Sequence, residues 1–231
     1  MKFVEMMTNR KFVLVVSLPS NNLELAKAAL EGGADAVKVH CNVWHRASGH
    51  TFGTYEENKD FLKSLIDLCG DVPVGLVPGT AEAFITETEL RELKEMGLDF
   101  ISAYSQNLPC FAMDYPGVSA AVAIGADDGE SVLDTVRDSD IAVLEASVVR
   151  GEEYGQNLTC ADFLRYSHIV KRSGKPCMVP TQKRIRPEDV KYLYRAGCKA
   201  LMIGAIVLGQ NPTPEQLREM TAAYRTAVDA L

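Results

Sequence analysis

The chain has 231 residues, the length of one barrel-sized domain, and its 47% hydrophobic and 24% charged residues suit an ordinary globular core and surface. A formal net charge of −7 with no basic tract argues against nucleic acid or an anionic membrane surface as a partner. No apolar run has membrane-spanning length, and Met1 to Lys11 lacks the apolar core of a signal peptide, so a cytoplasmic location is expected. The six cysteines form no C-x-x-C pair and read as reduced, mostly buried thiols.

Strand and helix signals alternate from end to end. Phe12 to Leu18 is a β-branched, apolar strand. Asn21 is expected to cap the next helix with Glu24 as its partner, and Gly32 and Gly33 stop it. Ala36 to His40 is the second strand. Thr54 and Glu57 form a capping box for a helix with Phe61, Leu62, Leu65 and Ile66 on its apolar face. Val72 to Val77 is the third strand, and Thr86 with Glu89 opens a helix ending at Gly97. Phe100 to Tyr104 is the fourth strand. The helix after it, Leu108 to Met113, is short and flanked by proline.

Ser119 to Gly125 is the fifth strand, followed by a short helix from Glu130 to Val136. Ile141 to Val149 is the sixth strand, with a helix running from Thr159 to Gly174. Lys175 to Gln182 holds the seventh, and Pro187 sits in the first turn of the next helix, where its missing N–H costs nothing. Ala200 to Ile203 is the eighth, and Thr213, Pro214 and Gln216 open the last helix. Eight strands alternate with about eight helices across short links. The expected fold is one (β/α)8 TIM barrel spanning 1–231, with a shortened fourth helix; a doubly wound open sheet is the competing arrangement.

In such a barrel, function sits at the carboxyl ends of the strands. Side chains alternate along a strand, so polar residues on the inward set stand out. In Ala36-Val37-Lys38-Val39-His40 the valines face the helices, and Lys38 and His40 point inward. In Val143-Leu144-Glu145-Ala146-Ser147, Glu145 and Ser147 share the inward face. Both strands are even-numbered, so Lys38 and Glu145 are expected to face each other across the mouth. An amine and a carboxylate so placed would move a proton to or from carbon, or simply neutralise one another.

Lys38, His40 and Glu145 are therefore the catalytic candidates. Three of the four histidines lie between 40 and 50, which marks Cys41 to Gly53 as a substrate lid or wall that also carries Trp44 and Arg46. His45 and His50, together with Ser17, Ser102, Tyr104, Ser147 and Thr181 at strand ends, are candidate substrate contacts. The five-residue spacing of His40, His45 and His50 is not a helical metal pattern, so neither a metal nor another cofactor is expected. His168 reads as a surface or packing residue. Asp127 and Asp128 either contact a ligand or cap a helix, and Gly151 to Asn157 is a second flap or a solvated loop.

The last third carries the most specific pattern: Lys183-Arg184-Ile185-Arg186-Pro187-Glu188-Asp189-Val190, then Ala196-Gly197-Cys198-Lys199-Ala200 and Ile203-Gly204-Ala205-Ile206. This ending resembles the ribulose-phosphate-binding barrels, and its nearest likeness is to the N-acylglucosamine-6-phosphate 2-epimerases. The resemblance implies a phosphate held by backbone N–H groups at Gly204 and Ala205, where the chain opens a short helix. Lys183 and Arg184 either add charge to that site or form a solvated run. That family's strand-three lysine and strand-seven glutamate have no counterpart here, where Gly75-Leu76-Val77 and Pro180-Thr181-Gln182 stand.

Together these readings point to a sugar-phosphate-type isomerase or epimerase working by proton transfer on a small phosphorylated substrate. The alternatives are an aldolase-type lyase with Lys38 as a Schiff base, and a non-catalytic phosphate-binding barrel. Barrels of this type often pair, so a homodimer is a candidate assembly.

Overall fold

The computed structural model describes residues 1–231. Helix α1 (Lys2–Asn9) leads into strand β1 (Val13–Ser17), helix α2 (Leu23–Glu31) and strand β2 (Ala36–His40). Two short strands follow, β3 (Val43–His45) and β4 (His50–Phe52), which pair with each other as a hairpin. The chain continues as α3 (Tyr55–Cys69), β5 (Val74–Val77), α4 (Glu87–Met96), β6 (Phe100–Tyr104), α5 (Cys110–Met113), β7 (Ser119–Ile124), α6 (Glu130–Arg137) and β8 (Val143–Ala146). Next come α7 (Cys160–Ser173), β9 (Cys177–Pro180), α8 (Val190–Arg195), β10 (Ala200–Ile203), α9 (Ala205–Leu208) and α10 (Pro214–Asp229).

Strands β1, β2, β5, β6, β7, β8, β9 and β10 form one closed, parallel barrel. Closure is made by β1 pairing with β10, from Val13 opposite Ala200 to Val16 opposite Ile203. An open doubly wound sheet is thereby excluded. The fourth barrel helix, α5, has four residues, short as its proline-flanked sequence implied. No helix is long and apolar enough to cross a membrane.

Four threonine boxes start helices. Thr54 with Glu57, Thr86 with Glu89, Thr159 with Asp162 and Thr213 with Gln216 each exchange both capping bonds. At α2 the cap is Asn22 and not Asn21, with its Oδ1 accepting from the amides of Glu24 and Leu25. Asn21 is occupied elsewhere, donating from Nδ2 to the His40 carbonyl at 2.7 Å.

The barrel interior is filled from below. Val13, Val15, Ala36, Phe100, Ala121, Val143, Met178, Ala200 and Met202 point inward, and α1 closes the amino-terminal end with Phe3, Met6 and Met7. In sequence, Met1 to Lys11 reads as short apolar pieces, but their i, i+3, i+4 spacing is one helical stripe. Asp99 fixes the helix by accepting from the amides of Lys2 and Phe3 at 2.9 and 2.8 Å. With that end plugged, a ligand enters the barrel only from the carboxyl ends of the strands.

Candidate active site

Above the apolar layers the inward positions turn polar. Strands β2, β6 and β8, the second, fourth and sixth of the barrel, supply Lys38, Ser102 and Glu145, all buried. Lys38 Nζ lies 3.8 Å from Glu145 Oε2. Ser102 stands between them, donating its hydroxyl to Glu145 Oε2 at 2.5 Å and lying 3.5 Å from Lys38 Nζ. The other carboxylate oxygen accepts from the Ser147 hydroxyl at 2.7 Å. Burial pushes the Lys38 ammonium below its ordinary range, and Glu145 only partly offsets this. The lysine is therefore closer to giving up its proton than a surface lysine is.

These groups line a cavity of about 360 Å³ at the strand ends, a size that suits a small metabolite. Ser17, Tyr104, Thr181, Gly204 and Ala205 also line it. Thr181 Oγ1 accepts from the Gly204 amide at 2.9 Å, fixing the entry to α9. Burial raises the Tyr104 phenol, and Tyr154 and Glu145 add to the effect.

The segment after β2 forms one wall as an ordered hairpin. His40 is wholly buried, with neither ring nitrogen hydrogen-bonded. Its ring stacks on Phe52 at 4.6 Å between centroids and lies 4.4 Å from that of His45. His45 Nδ1 is 3.0 Å from Ser48 Oγ, and the His45 ring faces the cavity. His50 does not reach the cavity; its Nδ1 donates to the Pro19 carbonyl at 2.9 Å and anchors the hairpin.

Burial holds His40 well below its usual 6.5, with His45 and Lys38 contributing, and holds His45 down at about 4. Both imidazoles are neutral at pH 7. In the unfolded chain they protonate as pH falls through 6.5, while in the fold His45 resists protonation down to about 4. Over that window the unfolded state binds more protons, so stability falls as the solution is acidified. Urea midpoints measured at pH 7, 5.5 and 4.5 should drop less steeply in H45N than in the wild type.

Lys183 and Arg184 do not join the cavity. Lys183 is buried, with Nζ 2.8 Å from Glu153 in the loop after β8 and 4.0 Å from Asp162 in α7. Arg184 is exposed, and its amide donates to the Gln156 carbonyl. The basic run begins beyond the end of β9, where strand alternation no longer aims side chains into the barrel. Instead it clamps the 151–157 loop, which also donates the Gly155 amide to the Gln182 carbonyl at 2.9 Å. Asp127 pairs with Arg150, and Asp128 accepts from the Gly125 amide, so neither acid caps α6. His168 is half exposed, 3.6 Å from Glu130.

Several polar cavity residues fell outside the set of candidate contacts, among them Gln182, Tyr154 and Arg46. Gln182 donates to the Tyr154 hydroxyl at 2.7 Å and accepts from the Val149 amide, joining the exits of β8 and β9. Arg46 comes from the hairpin. The polar content of Gly151 to Asn157 was a signal for Tyr154, whereas Arg46 is placed by the hairpin turn alone. No cluster of three or more histidine, cysteine, aspartate or glutamate side chains is placed to hold a metal ion.

No protein-family model matches the chain, and no curated protein matches it in sequence. Solved structures match along nearly its whole length. A thiamine phosphate pyrophosphorylase from Pyrococcus furiosus superposes with a TM-score of 0.66 at 14% identity, covering 95% of this chain and 96% of its own. A native KDPGal structure gives 0.67 at 15%, covering 96% and 97%. The KGPDC of Streptococcus mutans gives 0.66 at 13%, covering 96% and 99%. The chain is a TIM barrel. At such identities the likeness is one of fold, and the chemistry has to be argued from the site.

Proposed function

We propose that the cavity is the active site of an enzyme that moves a proton to or from the carbon beside a carbonyl in a small phosphorylated metabolite, an isomerase or epimerase type of reaction. The observation that carries this reading is the buried Lys38–Ser102–Glu145 cluster at the cavity floor. A carboxylate held by two serine hydroxyls is positioned as a base toward a carbon acid. Lys38 stabilises the oxygen on which negative charge develops, and returns a proton. The neutral ring of His45, facing the cavity, offers a hydrogen bond to the same carbonyl without adding charge.

The phosphate part of the reading rests on Gly204 and Ala205. They open α9 at the cavity edge. The Gly204 amide is already given to Thr181 Oγ1, so the Ala205 amide, one of the first amides of a helix that lack partners within it, is the donor left for a phosphate. The likeness of 183–206 to the epimerase ending supports the same placement. The proton-transfer pair stands on β2 and β8 and so differs from that family's lysine and glutamate, whose strand ends here carry neither residue.

A second reading has its own observation, the depressed affinity of Lys38 for its proton. A neutral buried amine attacks a carbonyl carbon, water leaves, and an imine forms, as in aldolase-type lyases. The two readings separate in one series. Phosphorylated sugars and keto acids are screened for raising the melting temperature, and each hit is incubated in D2O and, separately, with borohydride. Deuterium entering the carbon next to the carbonyl without an adduct on Lys38 supports the isomerase reading; a reduced adduct on Lys38 supports the lyase. K38M and E145Q should each slow the exchange by about 10²–10⁴-fold. Hits that neither exchange nor trap leave a binding protein, and the absence of any phosphorylated hit overturns the phosphate assignment.

A further inference from the structure

The pocket has a charge that its floor does not explain. Its lining contains three charged side chains: Lys38, Glu145 and Arg46. Lys38 and Glu145 offset each other at 3.8 Å, and the lining imidazoles of His40 and His45 are neutral at pH 7. Arg46 is therefore an uncompensated cation in a chain whose formal net charge is −7. The acids on the facing loops are spent elsewhere, Asp127 on Arg150 and Glu153 on Lys183, and Glu152 is exposed outside the cavity.

The hairpin is built to carry that side chain over the mouth. Its root is tied by the Asn42 amide to the Gly53 carbonyl at 2.8 Å, and its turn end by His50 to Pro19, beside β1. Its turn, at Gly49 with φ +70°, faces Gln210, in the segment after α9. Arg46 reaches the opposite wall: its Nη1 lies 2.7 Å from where a Cβ on Gly151 would stand, after β8. A strap rooted at the second strand thus crosses to the exit of the sixth and brings a planar guanidinium to the cavity.

We infer that Arg46 binds an oxyanion of the ligand, a phosphoryl or carboxylate group, and that the β3–β4 hairpin is a specificity strap for anionic substrates. This deepens the proposed function. It rests on the cavity being the ligand site, but is independent of the proton-transfer chemistry on its floor. A guanidinium suits such groups because its fork matches two oxygens at once. Gly151 has a reason to be glycine here, since a methyl group would occupy the space of the guanidinium tip.

The single tryptophan, Trp44, neighbours Arg46 on the hairpin and lines the cavity, so its fluorescence reports the strap directly. Inorganic phosphate and malonate are titrated at constant ionic strength into the wild type, R46Q, R46K, G151A and K38M/E145L. The wild type should give a saturable change with at least one of the two, and which one it is assigns the group as phosphoryl or carboxylate. R46Q should weaken that affinity at least tenfold, the loss of one charge-assisted hydrogen-bonded contact, with R46K intermediate. G151A should fold with nearly the wild-type melting temperature yet bind more weakly, because only the mobile end of Arg46 is displaced. K38M/E145L, which removes both floor charges together and leaves the net charge of the pocket unchanged, should retain the anion affinity. R46Q binding like the wild type, or a wild type with no saturable response to either anion, overturns the inference. If R46Q is unchanged while K38M still abolishes deuterium exchange, the strap assignment falls and the proposed chemistry stands.

Discussion

Replacing Phe3 with alanine is expected to lower the unfolding free energy by about 3–5 kcal/mol, although the residue lies two positions from the chain start. Phe3 is completely buried, and its ring stacks on Phe100 with centroids 3.9 Å apart and planes 12° from parallel. Phe100 occupies room left by Gly75, where a Cβ would fall 2.1 Å from the ring. The two rings and Gly75 thus act as one plug across the barrel, and close packing leaves little freedom to collapse around a missing ring. G75A should be costly for the complementary reason, since its methyl group overlaps Phe100 on a strand that cannot move aside. F3L should recover part of the loss. Urea unfolding of the three variants checks this, and a cost for F3A under about 1 kcal/mol would mean that α1 is not docked in solution. The consequence reaches the site, because Ser102 stands two residues beyond Phe100 on the same inward face, so the cavity floor rests on this plug.

The parts of this molecule legible in its sequence are those governed by a local rule. Three of the threonine boxes could be read because the cap and its partner are three residues apart, and the barrel because each strand is an apolar run followed by a helix. Lys38 and Glu145 stood out because a charge on the inward set of a buried strand breaks period-two alternation. Where the rule lapses, so does the reading. Lys183 follows the end of its strand, and its side chain turned to the carboxylates of Glu153 and Asp162 instead of to the cavity. Asn21 and Asn22 offer the same side-chain oxygen to the same helix, and the choice was made by the carbonyl of His40, which is 19 residues away in sequence. Helix α1 has eight residues and no side-chain cap, so its stability comes from the barrel floor and not from its own sequence. The hairpin strands have three residues each, too few for alternation to show, and the position of Arg46 depends on contacts with loops about 100 residues further on.

Removing Glu145 alone should harm the fold more than removing Glu145 and Lys38 together. E145A leaves a buried amine without its carboxylate, a change that costs about 3–5 kcal/mol, whereas K38M/E145L replaces the pair by apolar groups of similar volume and should recover most of that loss. The pH dependence gives the cause. Burial already holds Lys38 below its usual 10.5, and Glu145 is the group that raises it, so its removal lowers the folded value further. Between that value and 10.5 the unfolded chain binds a proton that the fold does not, so stability rises with pH through this window. The deficit of E145A measured by urea unfolding at pH 7 should therefore shrink as the pH is raised towards 10, while K38M/E145L, which has no lysine at this site, should lack this rise in its own stability. Ligand hits should still shift the melting temperature of the double variant yet show no deuterium exchange. A pair that apolar residues replace without loss of stability has no structural need to be charged, which leaves chemistry as the use of a lysine inside a barrel. Should the double variant instead prove less stable than both single ones, the pair stabilises the fold, and the catalytic reading loses its principal support.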